Sequence, residues 1–99
     1  MKKQLLIDNQ NALQNYCRKN QINYFGIFGS FARGEANDDS DIDIMVDFEE
    51  TKSLMKIGGI QYDLEERLGR PVDLVSRKNI KPSIKKNILN DMKVLYEKR

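Results

Sequence analysis

Residues 29–35 read Gly29-Ser30-Phe31-Ala32-Arg33-Gly34-Glu35, and residues 40–44 read Ser40-Asp41-Ile42-Asp43-Ile44. The first stretch follows the apolar run Ile22 to Phe28, and the second opens another such run. A Gly-Ser turn that opens a helix is a place for phosphate, because free N–H groups and the positive end of the helix point at the ligand. Ten residues later, Asp41 and Asp43 alternate with Ile42, Ile44 and Val46. On a strand this puts both carboxylates on one face and the apolar residues on the other. A third acid, Asp73, stands among Val72, Leu74 and Val75, so another strand would place it beside the first two. Carboxylates this close repel unless a divalent cation lies between them, and such oxygen ligands suit Mg²⁺ or Mn²⁺. Metal-binding acids beside a phosphate-binding turn point to transfer of a phosphorus-containing group.

Each part also has a plainer reading. Charges repeated on a strand are usually solvated surface. Gly29-Ser30 would serve equally as a strand-to-helix turn with a serine cap. Asp73 would serve as a polar residue at a strand end. Arg33 would either bind phosphate or pair with Glu35 or an Asp of the following loop. The combination at this spacing favours a site. Asp39, Asp41, Asp43 and Glu50 also occupy positions 1, 3, 5 and 12 of a calcium loop. That loop needs glycine at position 6, where this chain has Ile44, and the apolar alternation runs straight through it. The calcium reading is rejected.

At 99 residues the expectation is one domain, residues 1–99, with one modest core. Little material remains to enclose two substrates, so a partner would complete the site. No apolar run reaches the roughly 18 residues that a membrane span needs. Polar residues from Asp8 to Asn11 interrupt the apolar start too early for a signal peptide. The single Cys17 allows no internal disulfide and fits a reducing compartment, so the chain is expected to be cytoplasmic. With no histidine, Ser-His and Cys-His nucleophiles and imidazole zinc sites are excluded. The net charge of +2 is uneven. Residues 35–66 hold eleven Asp/Glu against Lys52 and Lys56, and residues 76–99 hold eight Lys/Arg against Asp91 and Glu97. An acidic middle between basic ends suits a metal site in surroundings that attract phosphate or an acidic partner.

Periodicity predicts an amphipathic helix over 4–19, a strand over 22–28 and a short helix over 30–33 closed by Gly34. A polar loop over 35–40 leads to a strand over 41–48. Thr51 or Ser53 caps a helix to about Leu68, with Leu54, Ile57, Ile60, Leu64 and Leu68 on its apolar face. Gly58-Gly59 interrupts that helix, either for close backbone approach or as a kink. Gly69 ends it. A strand over 72–76, a helix from Pro82 with Ile84, Ile88 and Leu89 inward, and an edge strand over 92–96 complete the chain. The class is α/β (α+β): a small mixed sheet with helices packed mainly on one face.

Gly29, Ser30, Asp41, Asp43 and Asp73 resemble, position by position, the pattern of the minimal nucleotidyltransferase family within the DNA polymerase beta superfamily. Leu68-Gly69-Arg70-Pro71-Val72-Asp73-Leu74-Val75 is similar to its small-domain branch. The resemblance implies two Mg²⁺ held by Asp41 and Asp43, one of them also by Asp73, and a turn at Gly29-Ser30 that holds the β,γ-phosphates of ATP. An acceptor hydroxyl near Asp73 would attack the α-phosphorus, and pyrophosphate would leave. Many such minimal proteins are similar to antitoxins encoded beside a HEPN-domain ribonuclease toxin, which implies transfer of AMP to a tyrosine of that toxin. The alternative is an antitoxin that masks its toxin by binding alone. Direct nucleic-acid binding is less expected, since no aromatic-basic stacking platform is visible.

Overall fold

A computed structural model describes residues 5–37 and 39–98. The elements run α1 (Leu5–Asp8), α2 (Gln10–Lys19), β1 (Ile22–Phe28), α3 (Gly29–Ala32), β2 (Ile42–Phe48), α4 (Leu54–Leu68), β3 (Val72–Ser76), a 3-10 turn (Arg77–Asn79), α5 (Pro82–Asp91) and β4 (Lys93–Glu97). The expected first helix is two helices. Asn9 adopts extended backbone and accepts from the Ala12 N–H at 3.0 Å, so it caps α2 and breaks the chain from α1. Gln4, where that helix was expected to start, lies outside the described residues.

The four strands form one mixed sheet in the order β3-β2-β1-β4. β1 pairs antiparallel with β2 and β4, and β2 pairs parallel with β3. The parallel pair needs a crossover, and α4 supplies it. Ser53 caps α4 by accepting from the Lys56 N–H at 3.2 Å, and Gly69 ends it at φ 73°. The glycine pair at 58–59 does not interrupt α4. Two α4 side chains then fasten the edge strand: Glu65 accepts from the Val72 N–H, and Gln61 donates to the Val72 carbonyl, each at 3.0 Å.

One face of the sheet carries the main core. Phe25 and Ile27 of β1 and Ile42, Ile44, Val46 and Phe48 of β2 pack there with α1, α2 and α4, around Leu13, Cys17, Leu64 and Leu68. The other face has a smaller cluster of Tyr24, Phe28 and Met45, covered by Val75, Ile80, Ile88 and Met92. α5 therefore lies on the second face, while α1, α2, α4 and the Ala32 end of α3 pack on the first. Of the inward set expected for α5, Ile88 packs against the smaller cluster, Leu89 is corrected, being 48% exposed, and the side chain of Ile84 lies outside the described residues. β4 begins at Lys93 rather than Met92, whose side chain packs into the second cluster.

Candidate active site

Gly29 ends β1 and begins α3 with φ 76°, a left-handed conformation that favours glycine. A Cβ added there would lie 2.2 Å from Asp43 Oδ2. The turn thus needs glycine twice, for its backbone angle and for the carboxylate pressed against it. The same short helix holds Ser30, whose carbonyl accepts from the Glu35 N–H at 2.9 Å.

Asp43 is the second residue of β2 and is half-buried. It stands opposite Phe28 on the antiparallel side and opposite Asp73 on the parallel side. Its side chain leaves the face opposite Ile42 and Ile44, as the alternation requires. Burial raises its carboxyl above the ordinary range; the Asp73 and then the Asp41 charges add to this, and Arg33 opposes it. All three acids therefore feel one another at Asp43. Asp41 precedes β2 rather than lying within it, and both Asp41 and Asp73 are exposed. Among the described residues, no three acidic side chains converge closely enough to enclose an ion unaided. The strand through 42–48 excludes a calcium loop there.

Arg33 takes the pairing its sequence context offered with Glu35, at 2.9 Å, and adds Asp91 of α5 at 2.6 Å. Asp91, 58 positions away, has no signal in the sequence. Arg70 was also missed. Its guanidinium donates to the carbonyls of Asn37 and Ser40 at 3.0 and 3.2 Å and lies 5.3 Å from the Phe31 ring. It ties the end of α4 to the loop that delivers Asp41. Within that loop, Asn37 Oδ1 accepts from the Asp39 N–H at 2.8 Å and Ser40 Oγ accepts from the Asn37 N–H at 2.9 Å. The cluster of Asn, Asp and Ser at 37–40 was the available hint of such a turn.

The acids lie on an open surface. A cleft of about 760 Å³ lies elsewhere, between α2 and β4, and none of the acids or turn residues lines it. No described helix is long and apolar enough to cross a membrane.

The pattern of the family described as "Polymerase beta, Nucleotidyltransferase" matches residues 11–99. The chain is 46% identical over 71 residues to the protein adenylyltransferase MntA of Thermococcus cleftensis, covering 72% of each. A solved minimal nucleotidyltransferase superposes with TM-score 0.75 at 33% identity, over 94% of this chain and 95% of that one. A chain from a toxin–antitoxin crystal structure with AMP-PNP gives TM-score 0.76 at 25% identity, over 92% of this chain and 75% of that one. With residues 11–99 matched, the chain belongs to the polymerase-beta nucleotidyltransferases, in the minimal branch that includes protein adenylyltransferases.

Proposed function

We propose that this chain is a single-domain enzyme of the cytoplasm that transfers AMP from ATP to a hydroxyl, a tyrosine's, on a HEPN-type ribonuclease toxin, and so acts as its antitoxin. The observation that carries this is the placement of Asp43: pressed on the Gly29 turn, in register with Asp73, and raised in pKa by its neighbours. The adenylyltransferase relative and the structure with AMP-PNP support the nucleotide, and the toxin–antitoxin neighbour supports the partner.

The donor set fits Mg²⁺, which is commonly held by one or two carboxylates together with substrate phosphates rather than by an all-protein cage. Three acids that do not close on an ion alone suit that arrangement. Asp41 and Asp43 would hold two Mg²⁺, with Asp73 sharing one, and the ions would stabilise the attacking and leaving oxygens. The backbone at Gly29 and the Ser30 hydroxyl would take the β- and γ-phosphates. Arg33, held by Glu35 and Asp91, would lend positive charge to the same phosphates. Asp73, exposed at the rim, would accept the proton of the incoming hydroxyl. A bond forms from that oxygen to the α-phosphorus, the bond from the α-phosphorus to the bridging oxygen breaks, and pyrophosphate leaves. The open surface around the acids suits an acceptor carried by a second protein. The added phosphate would place charge and bulk on the toxin.

The test is the intact mass of the toxin co-expressed with this chain or with its Asp41→Asn/Asp43→Asn variant. The expected result is a gain of one or more AMP units with the wild-type chain only. An unmodified toxin neutralised equally by both forms would replace this reading with the binding-only antitoxin.

A further inference from the structure

Helix α4 turns Ile60, Leu64 and Leu68 to the core. Leu54, expected inward with them, is instead 88% exposed in the first turn, and the opposite side carries Met55, 88% exposed, and Tyr62, 65% exposed. On the helix, Met55, Gly58, Gly59 and Tyr62 fall within about 100° of one another. A Cβ at Gly58 or Gly59 would meet nothing within 4 Å, so no contact within the chain calls for glycine there. Each nonetheless costs the helix about 1 kcal/mol relative to alanine. Beside this face runs a cleft of about 500 Å³ between α2 and α4, lined in part by Tyr16, Lys56 and Asp63. Tyr16 is only 6% exposed, and burial together with the neighbouring Asp63 carboxylate holds its hydroxyl protonated well above the ordinary tyrosine range.

The order of charges says what covers this face. Lys52 and Lys56 stand at its N-terminal end, and Asp63 and Glu66 at its C-terminal end. A parallel neighbour of the same kind would oppose like charges. An antiparallel one sets each basic end against an acidic end, twice, because a two-fold axis brings each flank of a helix to the same flank of its mate. Asp63 accepts from Arg67 at 2.9 Å within its own chain, and Lys56 stands two turns before it on the same flank.

We infer that the outward face of α4 is a self-complementary interface, closed by the same face of a second copy of this chain around a two-fold axis at Gly58–Gly59. Met55 packs against Tyr62 of the second copy, and the glycines let the two backbones cross closely. The interface lies on the side of the sheet away from Asp43 and Asp73, so both acidic surfaces stay open in the dimer. The inference does not depend on the transfer reaction.

Sedimentation equilibrium of the whole chain over a wide concentration range tests it. A dimer is expected, weakened about tenfold or more by Met55→Asp. Gly59→Leu should weaken it similarly; it raises helix propensity, so unfolding would not account for the loss. Lys56→Glu should weaken the dimer, and Lys56→Glu/Asp63→Lys should recover it. A monomer at every concentration would overturn the inference, as would a dimer indifferent to Met55→Asp and Gly59→Leu. A monomeric chain whose capture of the co-expressed toxin is lost with Met55→Asp would assign the face to that protein instead.

Discussion

The two faces of β2 are built from alternate residues of one strand, yet they are finished differently. On one, Ile42, Ile44 and Val46 are at most 1% exposed, sealed by α1, α2, α4 and Ala32 of α3. On the other, Met45 is equally buried, but it sits between Asp43 and Asp47, and Tyr24 and Phe28 are its only buried companions in that cluster. Every β2 residue on the first face is apolar, so that side of the strand is closed by packing alone. The second spends part of its area on acids: Asp47 has Lys78 3.7 Å away, while Asp43 faces two other carboxylates with only Arg33 in opposition. Burial, Asp73 and Asp41 all push the Asp43 carboxyl upward. Stability and chemistry are thus divided across a single sheet.

That division is broken most sharply at Asp43. Asp43→Asn should lower AMP transfer to the toxin by about 100-fold or more, since even groups that only support a metal ligand are worth ~10–100-fold. Its thermal midpoint without metal should hold or rise near neutral pH. The sign follows from the raised pKa: the folded state keeps its proton where the unfolded state loses it, so stability falls as pH rises through that interval. Removing the ionisable group removes that loss, and the gain should vanish below the ordinary carboxylate range. Parallel denaturation of both proteins across pH checks this.

On the sealed face, Leu64→Ala should cost about 2–5 kcal/mol of unfolding free energy, because Leu64 is fully buried and the core can collapse only in part. Transfer per folded molecule should be unchanged. Urea melts with rates corrected for the folded fraction separate the two effects. A matching loss of transfer would show that the faces are coupled.

A smaller effect is expected where the faces meet. Arg70 joins the end of α4 to the loop before Asp41. Arg70→Ala should reduce transfer roughly tenfold, as loss of a supporting group does, with about 1 kcal/mol or less of stability lost, since these bonds are largely exposed. If kcat holds while the KM for ATP rises, the loop positions nucleotide rather than the reacting centre.

The smallest effect belongs to Cys17. It is 0% exposed, and burial pushes its thiol up to about 12. Native protein at pH 8 should react with a thiol reagent only as fast as it opens, whereas unfolded protein should react at once. Because the unfolded thiol ionises first, stability should fall as pH rises above about 9.

The sequence by itself determined the strands at 22–28 and 72–76, the helix ending at Gly69, and the turn followed by two alternating acids. These are local signals: apolar alternation, a left-handed glycine, a proline after a helix, like charges two residues apart. It also located the carboxylates, because the residues between them set which way they point. Tertiary structure decided what depends on separate stretches arriving together. Leu89 stays exposed because α5 covers a smaller cluster than its spacing suggested. Arg33 meets Asp91, and Arg70 meets the 37–40 loop, through contacts that no spacing along the chain encodes. Asp73 is the clearest case: its residue type was legible, but only the parallel pairing of β2 and β3 sets it across from Asp43, with Gln61 and Glu65 of α4 holding the neighbouring Val72.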